Sequence, residues 1–471
     1  LGYLGQISPE ELTDPRFSGY RAGDRLGRGG VERHYEEALR GVDGWEKLLV
    51  NSQGKILNEL GSQAPVPGSN LVLSIDRGIQ QLAERALVEG VENARRIYDR
   101  ESAKYLLARA GAVVVLDPNT GKLLALASYP NYDPRIFLGG LSEQEWRRLN
   151  DPVVNYPLNN RAIQGLYPPG SVFKPFVAAA AMKAGYATPF DYYDCPAQYT
   201  APGDTSGTVF HNWKPTDSGQ ISIQSALIES CDTVFYEFGW RFNRDRITRN
   251  ELFQRLMRKW GFGRPTGVDL PSESEGRVPD IEWKEDVHER APLLFPEGLW
   301  LPGDNINMSI GQGDLLVTPL QVASAYAALA NGGTLYRPQV GLRVEQPDGE
   351  VIDEVEPHVA GRVPFTAQQL QVIRDALRQV PVSGTARTSF SEFPLSRIPI
   401  AGKTGTSEVF GKQPTSWFAA YGPADDAQYV VVAVVEEGGH GSQVAAPIVR
   451  RIFEGLFGLT PSEFHVGEEA D

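Results

Sequence analysis

The sequence predicts an α+β fold in which a largely antiparallel sheet packs against helices. Three observations predict this class: apolar stretches of strand length lie towards both ends of the chain, tight turns join neighbouring stretches, and helical patterns lie between them. With 471 residues, 41% of them hydrophobic and 22% charged, the chain is long enough for two or three domains and a sizeable core.

The first 75 residues predict short elements, because charged residues and glycines interrupt the apolar patterns. The predicted elements are a helix over 31–39, a strand-like stretch over 48–57, a linker over 61–70 and a strand over 71–75. Asp76 follows this strand and is a good N-cap for a helix over 78–92.

The next elements are two apolar strands, over 112–116 and 122–128. The turn sequence Asp117–Gly121 joins them and predicts an antiparallel hairpin. The later predicted elements are helices over 171–184 and 317–329, strands over 398–406, 417–421 and 429–435, and a closing helix over 444–457. Pro175 is tolerated only in the first turn of a helix, so we expect Ser171 at or just before the helix start, near the positive end of its dipole.

Charge and composition exclude several classes of function. A net charge of −14 argues against a nucleic-acid partner, and no nucleotide-binding fingerprint is present. No run of 18 or more apolar residues occurs, so no segment of this chain is predicted to span a bilayer. The chain opens at Leu1 without a methionine, and we interpret it as a fragment from which an upstream anchor or signal could have been removed.

The two cysteines, Cys195 and Cys231, do not predict a disulfide framework, because Cys231 lies inside a candidate catalytic motif. Asp194, Cys195, Asp204 and His211 are close enough in sequence for a metal cluster to be conceivable. Surface loop residues are the favoured interpretation, and we predict no metal site and no cofactor, leaving the Cys195/His211 region open.

Three short motifs indicate nucleophilic catalysis by serine without histidine: Ser171-Val172-Phe173-Lys174, Ser230-Cys231-Asp232 and Lys403-Thr404-Gly405. A serine hydroxyl is a weak nucleophile until a base takes its proton, and a neutral lysine three residues on shares its helix face. Taken alone, the first motif is equally well explained by an N-cap serine and a solvated lysine. The order of all three motifs makes coincidence a poor explanation.

These motifs resemble those of class B penicillin-binding proteins, closest to the elongation type. The blocks Tyr167–Lys174, Gly311–Gln321 and Ala401–Glu408 also resemble that family, and the resemblance covers nearly the whole chain. Asp232 stands where many such enzymes carry asparagine. An aspartate at this position is similar to the elongation-type subgroup. A carboxylate cannot donate a hydrogen bond as an amide does.

The resemblance implies a role for each motif residue. The implied catalytic residues are Ser171 as acylated nucleophile, Lys174 as its base, Ser230 as proton relay towards the leaving amine, Asp232 as an orienting group for cleft and substrate amide, and Lys403 as positive charge. The implied substrate-binding residues are Lys403, Thr404, Gly405 and Thr406, with the two threonines on the terminal carboxylate of the donor peptide. Backbone N–H groups of Ser171 and Thr406 would form the oxyanion hole.

Physical chemistry is consistent with these roles. Two lysines that converge on one serine should lower each other's pKa, since burial and like charge both disfavour the ammonium form. Lys174 could then act as a base near neutral pH. The strand that carries Lys403 could bind an extended peptide along its edge and hold the scissile carbonyl over Ser171.

The resemblance implies the fold of the penicillin-recognising serine transferases, with a five-stranded antiparallel sheet flanked by helices and an all-helical subdomain. The resemblance implies the C-terminal part of a non-catalytic pedestal domain and a linker over 1–68, a transpeptidase domain over 69–460 and an acidic tail over 461–471.

The predicted function is peptidoglycan D,D-transpeptidation in cell-wall elongation, with peptidoglycan stem peptides as substrates and β-lactam antibiotics as inhibitors. A SEDS-family membrane glycosyltransferase is an implied partner through the pedestal. The implied location is the inner membrane, with the catalytic domain on the extracytoplasmic side. A serine β-lactamase and a β-lactam sensor stay open as alternatives, and the lifetime of the acyl adduct and the coupling of an added amine separate them.

Overall fold

The computed structural model describes residues 2–205 and 207–464. Residues 465–471, most of the predicted acidic tail, lie outside the described residues. Within the described part of the chain, no helix is both long enough and apolar enough to cross a membrane.

The N-terminal region consists of short elements: β1 (Leu4–Gln6), β2 (Arg25–Gly27), α1 (Gly30–His34), α2 (Glu36–Leu39), β3 (Trp45–Val50), β4 (Ile56–Gln63) and the 3-10 turns Glu11–Thr13 and Pro15–Phe17. The helix predicted over 31–39 is confirmed except at Tyr35; its continuity is wrong, because the chain leaves helical geometry at that residue. The hydroxyl of Tyr35 donates a hydrogen bond to Asp269, 234 residues further along the chain, and this tertiary contact outweighs local helix propensity.

The strand predicted over 48–57 is also wrong, because that stretch contains the turn between β3 and β4. The Asn51 side chain accepts hydrogen bonds from the N–H groups of Gln53 and Lys55, and Gly54 has a φ of +78°. The linker predicted over 61–70 is shorter than expected, since β4 continues through Gln63. Strand β5 (Asn70–Leu73) then begins.

A five-stranded antiparallel sheet organises the rest of the chain. Its strands are β8 (Ala110–Leu116), β9 (Leu123–Tyr129), β18 (Ala401–Ser407), β19 (Thr415–Gly422) and β20 (Tyr429–Glu436), and their spatial order is β18-β19-β20-β8-β9. Each predicted strand of this sheet is confirmed to within three residues at its ends. Strand β18 forms one edge of this sheet: among the residues that the structure describes it pairs with β19 alone, with Lys403 opposite Ala419.

Helices cover both faces of the sheet. On one face lie α3 (Arg77–Ala94) and α14 (Ala445–Leu456). The predicted cap of α3 is confirmed, because the Asp76 side chain accepts a hydrogen bond from the N–H of Ile79. On the other face lie α5 (Arg161–Gln164), the 3-10 turn Gly170–Phe173, α6 (Lys174–Ala184) and α12 (Pro319–Ala330), which Thr318 caps.

A helical layer packs beyond α6 and consists of α7 (Ile223–Ile228), α8 (Asp232–Arg244), α9 (Leu252–Lys259), α10 (Ile281–Arg290) and α11 (Pro302–Ser309). Helix α13 (Ala367–Ser383) contacts α6, α7 and β18 and so joins this layer to the sheet. The remaining elements are β5 (Asn70–Leu73), β6 (Tyr98–Asp99), β7 (Lys104–Tyr105), β10 (Tyr192–Asp194), β11 (Gln198–Tyr199), β12 (Phe210–His211), β13 (Gln220–Ser222), β14 (Thr334–Tyr336), β15 (Gly341–Glu345), β16 (Val351–Glu354), β17 (Val359–Arg362), α4 (Glu143–Leu149) and the 3-10 turns Pro134–Phe137 and Pro152–Val154.

Cys195 and Cys231 form a disulfide, with their Cα atoms 6.3 Å apart, which corrects the prediction made from the sequence. The cause is topological. Strand β10 ends just before Cys195 and pairs with β13, which leads directly into α7 and then to Cys231. A disulfide sulfur is no longer a thiolate ligand, and among residues 2–205 and 207–464 no group of three or more His, Cys, Asp and Glu side chains is arranged to hold a metal.

Candidate active site

The turn that carries Ser171 is fixed by hydrogen bonds to its backbone. Ser171 lies in the 3-10 turn immediately before α6, with Pro175 in the first turn of that helix, as predicted. The hydroxyl of Tyr326 donates to the carbonyl of Val172 over 2.9 Å, and the indole N–H of Trp417 donates to the carbonyl of Pro168 over 3.1 Å. These two donors come from α12 and β19, so the fold on both sides of the turn determines its position.

Glycines allow this turn to lie directly against strand β18. Gly170 has a φ of +56°, and a Cβ atom there would stand 2.5 Å from the carbonyl oxygen of Thr406. A Cβ at Gly405 would stand 2.9 Å from the carbonyl oxygen of Pro169. The turn is also held from the other side, because the N–H of Gly170 donates to the carbonyl of Gly311 over 2.9 Å. The Gly of the third motif is thus needed for backbone approach.

Lys174 joins the first motif to the second. Its side chain is fully buried, and Nζ donates to the carbonyl oxygen of Ser230 (2.6 Å), to Oγ of Ser230 (3.2 Å) and to Oδ1 of Asp232 (2.7 Å). Burial lowers the pKa of Lys174, while the carboxylate of Asp232 opposes this shift. The amine therefore loses its proton more readily than an exposed lysine but keeps an anionic partner.

Asp232 is held in place by hydrogen bonds to residues of a segment that lies outside the three sequence motifs. Its Oδ2 accepts a hydrogen bond from the N–H of Trp213 over 3.0 Å, and its own N–H donates to Oδ1 of Asn212 over 2.9 Å. Asp232 is also the first residue of α8, where the helix dipole favours a negative charge. The contact between Asp232 and Lys174 and the support from Asn212 and Trp213 are findings of the structure.

Lys403 lies on the face of β18 that is turned towards Lys174. It is fully buried, and its Nζ donates to the carbonyl of Thr404 over 3.3 Å. Burial is the main cause of a pKa far below the ordinary value for lysine, and the positive charge of Lys174 lowers it further while Asp232 raises it. The repulsion expected between the two lysines thus acts on Lys403, whereas Lys174 has the carboxylate at hydrogen-bond distance.

The two threonines of β18 point to the other side of the strand. Oγ1 of Thr404 lies 2.6 Å from Oγ1 of Thr385, at the C-terminal end of α13. Oγ1 of Thr406 accepts a hydrogen bond from the N–H of Gly441 over 3.2 Å. Alternation along the strand places Lys403 and Gly405 on one face and the two threonines on the other.

The structure brings the eight predicted site residues to one region, where β18, the 3-10 turn before α6 and the loop before α8 meet. Sequence reasoning missed four residues that support them: Cys195, Asn212, Trp213 and Thr385. The pair of cysteines was a usable signal, because two cysteines in an otherwise cysteine-free chain can pair. Asn212, Trp213 and Thr385 carry no local signal, since their partners are 19 or 20 residues away in the sequence.

Two family models match the chain. The model described as the penicillin binding protein transpeptidase domain matches residues 111–454, which is more than half of the chain. The model described as the penicillin-binding protein dimerisation domain matches residues 1–73.

Individual relatives agree with these matches. The chain is 31% identical over 483 residues to a protein of Haemophilus influenzae named peptidoglycan D,D-transpeptidase MrdA, with 96% of this chain and 67% of the relative covered. Among solved structures, it is similar to a chain of a peptidoglycan synthase complex that coordinates polymerization and crosslinking (TM-score 0.82, 33% identity, 98% and 74% covered). It is also similar to penicillin-binding protein PBP2 of Helicobacter pylori in complex with MreC (TM-score 0.78, 30% identity, 97% and 77% covered).

Proposed function

The chain belongs to the penicillin-binding protein transpeptidase family and is a serine-type peptidoglycan D,D-transpeptidase, and on this premise we propose that it cross-links stem peptides in cell-wall elongation with Ser171 as nucleophile. The observation that carries the assignment of residues is the set of hydrogen bonds from Lys174, one helical turn after Ser171, to Ser230 and Asp232. β-Lactams acylate the same serine.

In the first half-reaction, Oγ of Ser171 attacks the carbonyl carbon of the penultimate D-alanine, and Lys174 takes the hydroxyl proton. The lowered pKa of Lys174 favours the neutral amine that this step requires. Backbone N–H groups of Ser171 and Thr406 stabilise the oxyanion. The intermediate collapses when the C–N bond breaks, and the leaving D-alanine receives its proton through Ser230, which hydrogen-bonds to Lys174.

In the second half-reaction, the amine of a neighbouring stem peptide attacks the acyl-enzyme and Ser171 is released. The attacking amine loses one proton through Ser230 to Lys174 as the new C–N bond forms, and Lys174 passes that proton to Oγ of Ser171 when the ester bond breaks, so the site returns to its starting state. Thr404 and Thr406 bind the terminal carboxylate of the donor peptide. The arriving anion raises the pKa of Lys403, which burial holds far below its ordinary value in the free site, and so favours the protonated amine. Hydrolysis of the acyl-enzyme must be slower than attack by the amine for cross-linking to occur.

Mass spectrometry of the intact protein with benzylpenicillin tests the role of Ser171. The mass should rise by one antibiotic equivalent and stay raised over minutes, and Ser171→Ala should show no increase. A second serine variant, Ser52→Ala, controls for the other Ser-x-x-Lys sequence, which lies in the β3–β4 turn. Labelling of Ser171→Ala would remove Ser171 from the role, and loss of the adduct within seconds would indicate a β-lactamase instead.

We also propose that the hairpin β3–β4 is part of the surface that binds a SEDS-family membrane glycosyltransferase, on the extracytoplasmic side of the inner membrane. Exposed apolar side chains on this hairpin support the proposal: Trp45, Leu48, Leu49, Val50, Ile56, Leu57 and Leu60. Apolar patches of this kind mark interaction sites. The similar chain belongs to a peptidoglycan synthase complex that coordinates polymerization and crosslinking, which supports a polymerase as the kind of partner.

Co-purification with the polymerase tests this surface. The double change Leu49→Asp/Ile56→Asp should abolish the complex and leave penicillin acylation unchanged, because none of the eight predicted site residues lies on the hairpin. Ser62→Asp adds charge to the same hairpin at a polar exposed position and should keep the complex. Unchanged binding by the double variant would exclude the hairpin as the docking surface.

A further inference from the structure

The disulfide of this protein passes through the middle of a catalytic motif. Cys231 is the central residue of Ser230-Cys231-Asp232, and its sulfur is bonded to that of Cys195, 36 residues earlier. Both cysteines are buried. The cross-link therefore fastens the motif loop to the segment that follows strand β10.

On one side of Cys231, the backbone needs external support. Ser230 has a φ of +60°, a left-handed conformation that costs a non-glycine residue free energy and persists only where the surroundings enforce it. In this conformation both the carbonyl oxygen and Oγ of Ser230 face Nζ of Lys174. One backbone bond, from the N–H of Cys231 to the carbonyl of Ala226 (3.0 Å), and the disulfide directly follow the strained residue.

On the other side, the same cross-link holds the supports of Asp232. Asn212 and Trp213 bond to Asp232, and both belong to the chain that starts at Cys195. Asn212 is tied back to this start, because its N–H donates to the carbonyl of Ala197 (2.9 Å) and its Nδ2 lies 3.6 Å from Sγ of Cys195. Thr233 adds a bond from the motif side to the carbonyl of Pro196 over 3.1 Å.

We infer that the Cys195–Cys231 disulfide is a positioning element of the acylation reaction, which holds Ser230 and Asp232 against Lys174; this inference rests on the proposed function. Without the bond, the segment 195–213 can separate from the motif loop, and Ser230 can relax to an ordinary backbone conformation. Lys174 then loses fixed partners, and proton transfer from Ser171 slows. Reduction by a dithiol breaks the S–S bond with two electrons and two protons, giving two thiols and an oxidised dithiol.

The test separates positioning from general stability by measuring the acylation step alone. Stopped-flow acylation with a fluorescent penicillin gives the first-order acylation constant at saturation, the apparent binding constant and the burst amplitude, which counts folded sites. The variant Cys195→Ala/Cys231→Ala should show an acylation constant at least 10-fold lower, with the burst amplitude kept. Protein reduced by dithiothreitol, with two thiols per chain counted, should show the same loss and should recover after reoxidation.

Two further variants keep the result interpretable. Ile448→Ala opens a cavity on the opposite face of the sheet, and it should lower Tm without lowering the acylation constant of the folded fraction. Asn212→Ala removes the support of Asp232 without touching the sulfurs, and its effect should combine less than additively with the loss of the disulfide, because both act through the same contact.

Three results would overturn the inference: two free thiols in protein purified without reductant, an unchanged acylation constant in the double cysteine variant, or a loss confined to the burst amplitude. None of these three results would contradict the proposed function. That function fails separately if the oxidised protein is not labelled at Ser171.

Discussion

Nζ of Lys174 lies 2.7 Å from Oδ1 of Asp232, and both side chains are buried between the helical layer and the sheet. Burial lowers the pKa of the lysine and the carboxylate raises it, so the proton affinity of the base is a balance of two opposed effects. A substitution that removes only the carboxylate should therefore change the pKa of Lys174 in one direction, downwards.

Asp232→Asn should move the acid limb of the pH profile of the acylation rate to lower pH. The acid limb reports protonation of the base, and loss of the carboxylate lowers the pKa of Lys174, so the neutral amine persists to lower pH. The maximal rate should also fall, because an amide holds the amine less firmly. Acylation by penicillin between pH 5 and 9 measures both effects. Asp304→Asn breaks another lysine–aspartate pair, with Lys284, and should leave the limb in place.

Lys403→Met should raise stability at neutral pH while it abolishes acylation. Lys403 has a pKa far below the ordinary value, so the unfolded chain binds more protons than the native protein between these two pKa values. Stability of the native protein therefore rises with pH through that range, and this contribution disappears in the methionine variant. We expect Tm to increase by about 1–3 °C at pH 7. Thermal unfolding at pH 6, 7 and 8 checks the increase and its decline as pH rises, and an equal or lower Tm would contradict it.

Much of this architecture was predictable from the sequence, because the signals are local. The hairpin over 110–129 follows from two apolar stretches around an Asp-Pro-Asn-Thr-Gly turn, and α3 and α12 follow from their caps at Asp76 and Thr318. The order of the three motifs was enough to predict that Ser171, Lys174 and Lys403 lie close together.

Features that depend on distant partners were not predictable. The break at Tyr35 depends on Asp269, 234 residues away, and the disulfide depends on the pairing of β10 with β13. The ion pair of Lys174 with Asp232 joins residues 58 positions apart. The sequence analysis predicted instead that Asp232 orients the cleft and the substrate amide. Local patterns cannot specify such contacts.

Thr385→Val should weaken recognition of the substrate carboxylate. A hydroxyl has one hydrogen, so Thr404 can donate to a carboxylate only if the bond between the two threonines is donated by Thr385. Loss of that donor leaves the Thr404 hydroxyl free to turn away, and a net hydrogen-bond contribution of about 1 kcal/mol corresponds to about a fivefold higher KM for D-Ala-D-Ala peptides. Steady-state kinetics measure it, and Thr385→Ser should restore most of the loss. A lower kcat with unchanged KM would contradict this role.

Gly170→Ala should slow acylation by about 100-fold, because the methyl group would press the nucleophile turn away from Thr406 and displacements near 1 Å have effects of this size. Gly185→Ala is the matched control. Gly185 also has a positive φ, +76°, but in the described part of the chain no atom outside its chain neighbours lies within 4 Å of the place that a methyl group would take there, so only stability should fall, by about 1 kcal/mol. Penicillin labelling rates and urea unfolding distinguish the two, and equal labelling rates would show that close contact with β18 is dispensable.

The position of β18 at the end of the sheet also has a consequence for the protein at high concentration. Most proteins cover or distort such a strand, since its free backbone groups are a template for unwanted pairing with a second molecule. An enzyme that reads extended peptides has to leave this template accessible. Six of its seven residues are buried and two of these are glycines, at 402 and 405, so a neighbouring molecule can gain little by pairing with this strand even though its edge has to admit a substrate peptide.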